Sequence, residues 1–404
     1  MKTYWFTLYP HCFLWVKETE GLIYNTKNHS QIKFSNQGKV GSIAMQLTLL
    51  ENLYCVKLTQ EQVEHEDVNL WLHEVQNKDC GVLVEENGTN QRPLSLPLVL
   101  KVQDEVDYYR WEHKQGIDGN VLDNLHKLVF YFNGSHRGND SFSKQFLFPI
   151  ALCNVSLQHK DILRFVQNAL LSNFLSEIVL VGDPFGYKDF SGLCERLQEI
   201  CPVQVCCTQA DATASLKQAE ELAEKVELDI VVTDFNQIEI LPRKASITIA
   251  ITSEVDYEKA VAYEEKGLFR KITFVPVYTG TNLTFFEKLL YINEDNILES
   301  HLSKRDIFVR QKVNIYDFGK LTIMPDGQVY SNLSVPAIGH IMESPHTIVY
   351  RELIEGHSWL QVRNMEPCCN CIYQWICPSP SNYEKVLDKV NLCTIRINQV
   401  KVGK

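Results

Sequence analysis

Apolar residues follow two rhythms along this chain, and the rhythm changes near residue 125. Beyond that point short, continuous apolar runs recur: LVFYF at 128–132, IVLV at 178–181, VQVCC at 203–207, DIVVT at 229–233, ITIAI at 247–251 and ITFV at 272–275. Between them apolar residues return every three or four positions: Ile162, Phe165, Val166, Ala169 and Leu170; then Phe190, Leu193, Cys194 and Leu197, ending before Pro202. Leu216, Ala219, Leu222, Ala223 and Val226 follow, and later Tyr257, Ala260 and Val261. Strands apolar on both faces, alternating with helices apolar on one, predict an α/β fold with a parallel sheet and right-handed crossovers. Six such strands either close into a partial barrel or stay open, and periodicity alone leaves both.

The rhythm before residue 90 is different. YWFTL at 4–8, FLWV at 13–16 and LIY at 22–24 are β-rich and broken by Pro10 and Gly21, which predicts a three-stranded meander. A helix is expected over about 40–53, with apolar residues at 43, 47, 50 and 53, followed by a strand at 54–58. Thr59 and Gln62 form a capping-box pair that opens a further helix reaching Trp71 and Leu72. A strand at 80–84 closes this α+β unit, and the Asn-, Gly- and Pro-rich stretch after 87 predicts a linker. Four segments follow: 1–90, a linker and lead-in at 91–124, the β/α region at 125–304, and 305–404. In the last, Pro325, Asp326 and Gly327 predict a hairpin, and a helix is expected near 347–355.

Composition narrows the function classes. The chain has 404 residues, 45% hydrophobic and 22% charged, with a formal net charge of −11. An acidic surface argues against nucleic acid, which needs clustered Lys and Arg. No apolar run is long enough to span a membrane, and the first residues lack the features of a signal peptide. Thirteen cysteines without a secretory signal imply a reducing, cytoplasmic compartment. No phosphate loop, HExxH helix or nucleophile elbow is present, and Ser135 and the His11–Cys12 pair lack the partners of a nucleophile.

The strongest chemical signal is a cysteine cluster. Cys368 and Cys371 have the two-residue gap that lets two sulfurs reach one ion from a tight turn, and Cys377 and Cys393 complete a set of four. The set suits an iron–sulfur cluster or zinc. Cys369 reads as a bystander, and Cys55, Cys153 and Cys206 as small core hydrophobes.

Taken with the β/α region, Pro325-Asp326-Gly327 and Ile338-Gly339-His340-Ile341, this cluster resembles a radical S-adenosylmethionine protein with a C-terminal SPASM domain, over roughly 125–395. Val181-Gly182-Asp183-Pro184 resembles the family's Gly-Gly-Glu-Pro motif, which implies that Gly182, Asp183 and Pro184 are a vestigial cofactor site. The family's activity needs a Cys-x3-Cys-x2-Cys loop after the first barrel strand. The matching loop here, 133–143, holds no cysteine, and no cysteine triple in the chain has that spacing. His136 and Arg137 stand in that loop, where a solvated role is expected. The resemblance therefore implies a pseudo-radical-SAM protein that neither cleaves S-adenosylmethionine nor needs it.

In the SPASM part, the hairpin-side ligands of one auxiliary cluster are replaced: none stands at 310–326, Asn332 takes the second position and Ser381 the third. Cys368, Cys371, Cys377 and Cys393 match the other cluster's full set, which implies one [4Fe–4S] cluster, with zinc fitting the bare spacing equally well. The 1–90 unit resembles the winged-helix-like recognition element of ribosomal-peptide (RiPP) maturation. That resemblance implies binding of a precursor leader peptide by β-augmentation, with Tyr4, Phe6, Trp15, Leu22 and Tyr24 as candidate strand residues. The expectation is a degenerate partial (β/α)6 TIM-like barrel between a small α+β domain and a SPASM-like metal-binding domain. It would act as a non-catalytic accessory protein with a leader peptide, and an active radical SAM maturase, as partners. The alternatives are an iron–sulfur enzyme acting on a peptide through the remaining cluster, and a zinc-stabilised scaffold.

Overall fold

The computed structural model describes residues 2–86, 92, 93, 95, 119–134, 140–150, 155–170 and 174–395. Fifteen strands lie among them. β1 (Thr3–Leu8), β2 (Cys12–Val16), β3 (Glu20–Asn25), β4 (Gln31–Ser35), β5 (Cys55–Thr59) and β6 (Gly81–Glu85) belong to the N-terminal unit. β7 (Lys127–Tyr131), β8 (Glu177–Val181), β9 (Val203–Thr208), β10 (Glu227–Val232), β11 (Ser246–Ile251) and β12 (Lys271–Pro276) are the six expected β/α strands. β13 (Lys320–Ile323), β14 (Gln328–Tyr330) and β15 (Gly339–His340) follow.

The large sheet runs β12-β11-β10-β9-β8-β7-β13-β14-β15. Each of β7 to β12 pairs in parallel with its neighbour. The outward residues of these strands, such as Leu128, Phe130, Ile178, Leu180, Val205, Ile230 and Ile249, form one core with the helices His159–Ala169, Phe190–Gln198 and Leu216–Lys225. The inward residues Val129, Tyr131, Val179, Val181, Cys206 and Val231 form a second, smaller core. Burial on both faces is why these strands read as unbroken apolar runs.

Two expectations change here. β13 pairs in parallel with β7, Leu321 opposite Leu128 and Ile323 opposite Phe130. The sheet thus crosses the expected boundary at 305, and Leu321, Ile323, Val329, Ile348 and Trp359 share the larger core of the β7–β12 sheet. Among the described residues the hairpin has no separate core, because its first strand extends the parallel sheet beyond β7. The N-terminal meander is also shifted by one strand. It consists of β2-β3-β4, while β1 is the centre of a second sheet, β5-β1-β6. β4, with only five residues, was missed because IKF offers a single apolar–polar–apolar alternation.

The β2-β3-β4 sheet has two buried faces. Cys12, Leu14, Ile23, Ile32 and Phe34 pack on the helices Gly38–Thr48 and Glu66–Asn77. Phe13, Leu22 and Tyr24 pack instead against Ile297, Leu302, Ile307, Ile372, Tyr373 and Ile376. The N-terminal unit is thereby joined to the cysteine-bearing region. No helix among the described residues is long and apolar enough to cross a membrane.

Candidate functional site

The site where the resemblance places a cofactor lies at the C-terminal ends of β7 and β8. Gly182 follows β8 with φ of 145°, a left-handed-side conformation that favours glycine. A Cβ there would meet Asn133 Oδ1 at 2.2 Å. Asn133 clamps this turn: its Nδ2 donates to Asp183 O at 2.7 Å, and its Oδ1 accepts from Asp183 N at 2.8 Å. The Asp183 carboxylate points back on its own loop, where Oδ1 accepts from Phe185 N at 2.9 Å and Gly186 N at 3.2 Å. The turn of the expected motif is present, and that carboxylate oxygen caps backbone.

One face of the parallel strands is covered by the chain's own aromatic side chains. Phe148 and Ile150 are buried against Tyr131, Val181, Cys206 and Val231, with Phe142 and Phe146 packed on them. Phe142–Phe148 and Phe146–Phe148 are ring contacts with centroids 5.4 and 5.6 Å apart. Gln145 pins this segment, donating to Tyr278 O at 2.9 Å and accepting from Tyr278 N at 2.8 Å. Ser135, His136 and Arg137 lie outside the described residues, as does Cys153.

The four expected metal ligands come from three pieces of chain. Cys368 opens a short 3-10 turn, and Cys371 N donates to Cys368 O at 3.0 Å. Cys377 N donates to Tyr373 O at 2.8 Å. Cys393 is carried in by a parallel bridge to Ile292. Burial pushes the Cys371 thiol up to about 11 and the Cys377 thiol up to about 12, with further upward pressure in each from Cys368 and Cys393. Cys393 is raised by burial and by Cys368. All four sulfurs therefore share one electrostatic neighbourhood. Among the described residues no three His, Cys, Asp or Glu side chains are arranged to hold an ion. The donor set suits a soft cation, because buried thiolates that raise one another's pKa are stabilised by a central positive charge. The thiols need to converge to ligate it. Cys369 is half-buried, while Cys55 and Cys206 are buried, as expected of core hydrophobes.

The hairpin-side position is filled by other chemistry. Asn332 Nδ2 donates to Asp317 Oδ1 and Oδ2 at 2.9 and 3.0 Å and to Asn382 Oδ1 at 2.7 Å. Lys385 Nζ lies 3.0 Å from Asp317 Oδ2 and Lys320 Nζ 3.2 Å from Oδ1. The Asp317 side chain is 2% exposed. Ser381 caps the helix Asn382–Leu387. A buried carboxylate with two ammonium partners and an amide holds together the elements that the resemblance would tie with a cluster.

The expected peptide residues fall mainly on interior strands. Tyr4 and Phe6 lie on β1, bonded on both sides, and Leu22 and Tyr24 lie on β3, likewise central. Phe6, Leu22 and Tyr24 are fully buried. Trp15 alone lies on an edge strand, stacked on Phe13 at 5.2 Å. This corrects the expectation: a central strand has no free N–H or C=O row to offer a ligand. β4 is the edge nearest the helix Glu66–Asn77, with its Gln31 O already accepting from Lys78 Nζ at 2.8 Å.

Three residues that pattern reading missed hold this region together. Lys17 Nζ donates to Cys369 O and Gln374 Oε1, both at 2.7 Å. Asp317 and Arg363 are the other two. Each owes its role to partners distant in sequence, so no local motif marks them.

No family model and no curated protein matches this chain. Two solved structures of Streptococcus suis SuiB are similar to it. One, bound to its precursor peptide SuiA, has a TM-score of 0.42 and 12% identity, covering 97% of this chain and 98% of that one. The other, bound to S-adenosylmethionine, has a TM-score of 0.41 and 13% identity, covering 97% and 99%. At that overlap, functional assignment rests on this chain's own residues.

Proposed function

We propose that this chain is a non-catalytic, peptide-binding accessory protein of ribosomal-peptide maturation, with one structural four-cysteine metal site. The observation that carries the reading is the packing over the parallel strands. The space over β7, β8, β9 and β10 holds Phe142, Phe146, Phe148 and Ile150, and Asp183 Oδ1 is committed to its own turn. The phenylalanine-rich face offers a sulfonium cofactor no charge partner. The Asp317–Lys385–Lys320 network supports the same reading, since it takes the place of a second cluster.

The leader peptide, in this reading, adds a strand at the open edge of β4, beside the helix Glu66–Asn77. Leu70 on that helix is 64% exposed and would receive an apolar peptide side chain. Cys368, Cys371, Cys377 and Cys393 would hold the ion or cluster, which would cross-link the loop 368–377 to residue 393 and supply positive charge to buried sulfur. An active maturase is the further partner the reading implies.

The test uses the full chain. Titration with the precursor peptide encoded beside its gene should saturate, and Lys33→Pro on β4 should weaken binding at least tenfold, because proline removes an edge N–H. Cleavage of S-adenosylmethionine to 5′-deoxyadenosine after anaerobic reconstitution with iron and sulfide would overturn the non-catalytic reading. Absence of saturable binding would overturn the peptide reading.

A further inference from the structure

The side chain of Arg363 is 6% exposed. A guanidinium does not shed its proton at this depth, so its charge must be balanced where it stands. Glu384, 4% exposed, does part of this, with Oε1 2.9 Å from Arg363 Nη1. The carboxylate leaves the rest of the guanidinium's surroundings unexplained. Nη1 also lies 3.9 Å from Cys368 Sγ, to which Asn391 Nδ2 donates at 3.7 Å. Nε donates to Pro378 O and Nη2 to Ser379 O at 3.4 Å, the two carbonyls that follow Cys377. Gln374, between Cys371 and Cys377, donates from Nε2 to Arg363 O at 2.7 Å. Burial opposes the cation, yet Cys377, Glu384 and Cys368 together hold it charged.

One buried cation thus touches a sulfur, the exit of the third cysteine and the loop between the second and third. A zinc ion or an oxidised [4Fe–4S] cluster held by four thiolates keeps a net negative charge, which is costly in a buried site unless a fixed cation or N–H donors face it. We infer that Arg363 is the positioning residue of the four-cysteine centre: its guanidinium offsets the charge left on the loaded thiolates and fixes both the Cys368 sulfur and the chain leaving Cys377. Glu384 sets how much of that positive charge the centre feels. The inference rests on the four-cysteine reading above.

The experiment is zinc(II) competition against a chromophoric chelator, with full-length wild type, Arg363→Gln, Arg363→Lys and Glu384→Gln. Arg363→Gln should lose about ten- to hundredfold in zinc affinity. Arg363→Lys should recover part of it, and Glu384→Gln, which breaks the same ion pair but keeps the cation, should bind as tightly as wild type or more so. If iron and sulfide give a cluster, Arg363→Gln should shift its reduction potential to more negative values. Equal zinc affinity in wild type and Arg363→Gln overturns the inference. If Arg363→Gln does not fold, a loss of affinity in Glu384→Gln overturns it instead. Wild type that takes up neither zinc nor an iron–sulfur cluster overturns the four-cysteine reading itself, a result distinct from the other two.

Discussion

The two ends of the C-terminal region hold loops together by opposite means. At the hairpin end, Asp317 meets Lys385, Lys320 and Asn332, so each buried charge has an internal partner. At the cysteine end, burial and neighbouring sulfurs raise the Cys371, Cys377 and Cys393 thiols, and one guanidinium, already shared with Glu384, faces Cys368 and Cys377. The first arrangement is electrostatically closed. The second is not closed in this way, and in the proposed reading a bound cation completes it. A region can replace one metal site with an ion network only if every partner arrives together, because a half-made buried network is worse than none.

The largest test of this contrast is Asp317→Ala. It leaves Asn332 and two partly buried ammonium groups without their carboxylate, and urea unfolding should show a loss of about 3 kcal/mol. That loss should be the same with and without a chelator. A chelator-dependent loss would mean that the two ends are not independent.

Next in size is removal of the ion. Stripping metal from wild type should lower its unfolding midpoint by the equivalent of about 2.7 kcal/mol, if metal is present at about 100 times Kd. A Cys377→Ser variant should not respond. Identical midpoints for wild type with and without chelator would make both ends self-sufficient and dissolve the contrast.

Asp229 extends the comparison to a buried carboxylate without a close cation. Burial raises it to about 6, against a hydrogen bond from the Thr248 hydroxyl, whose Oγ1 lies 2.9 Å from both carboxylate oxygens, and a weaker downward pull from Lys271. Its folded pKa lies above its unfolded one, so its contribution is fully present below about pH 4 and is lost as pH rises through about 6. Asp229→Asn should therefore be more stable than wild type by roughly 2–3 kcal/mol at pH 8, and the gain should vanish near pH 4. Thermal unfolding across that range checks it; a pH-independent difference would assign the effect to packing instead.

The smallest effect belongs to Lys17, which ties the N-terminal sheet to the cysteine loop. Lys17→Met should cost about 1 kcal/mol and speed hydrogen exchange in β2 and β3. Unchanged exchange there would show that the apolar contacts of Phe13, Leu22 and Tyr24 hold the joint alone.

Much of the fold was legible because its signals are local. All six β/α strands were read from their apolar runs, and the capping box at Thr59 and Gln62 is present as expected. The helix Pro345–Glu355 and the hairpin around Gly327, whose φ is 85°, also stand where pattern placed them. The expected helix over 40–53 ends at Thr48, because Leu49 turns extended and Leu53 is left-handed. The helix after Thr59 is broken at His65 for the same kind of backbone reason. Tyr24 shows where legibility stopped. Its strand was readable, but its place at a joint, with its hydroxyl accepting from Leu302 N at 2.9 Å, was not.

The sequence by itself determined the six β/α strands, the four-cysteine set and the lack of a cysteine triple. These are matters of residue type and of periods of two or 3.6. Tertiary structure alone decided that β13 extends the parallel sheet, that β3 is an interior strand, that phenylalanines cover one face of that sheet, and that Asp317 meets Lys385 and Arg363 meets Cys368. Each of these joins chain segments whose contact depends on how whole elements pack. A strand's pattern specifies which face it buries but not which strand lies beside it, and a charged residue's neighbours in sequence do not say which opposite charge will be waiting in the core.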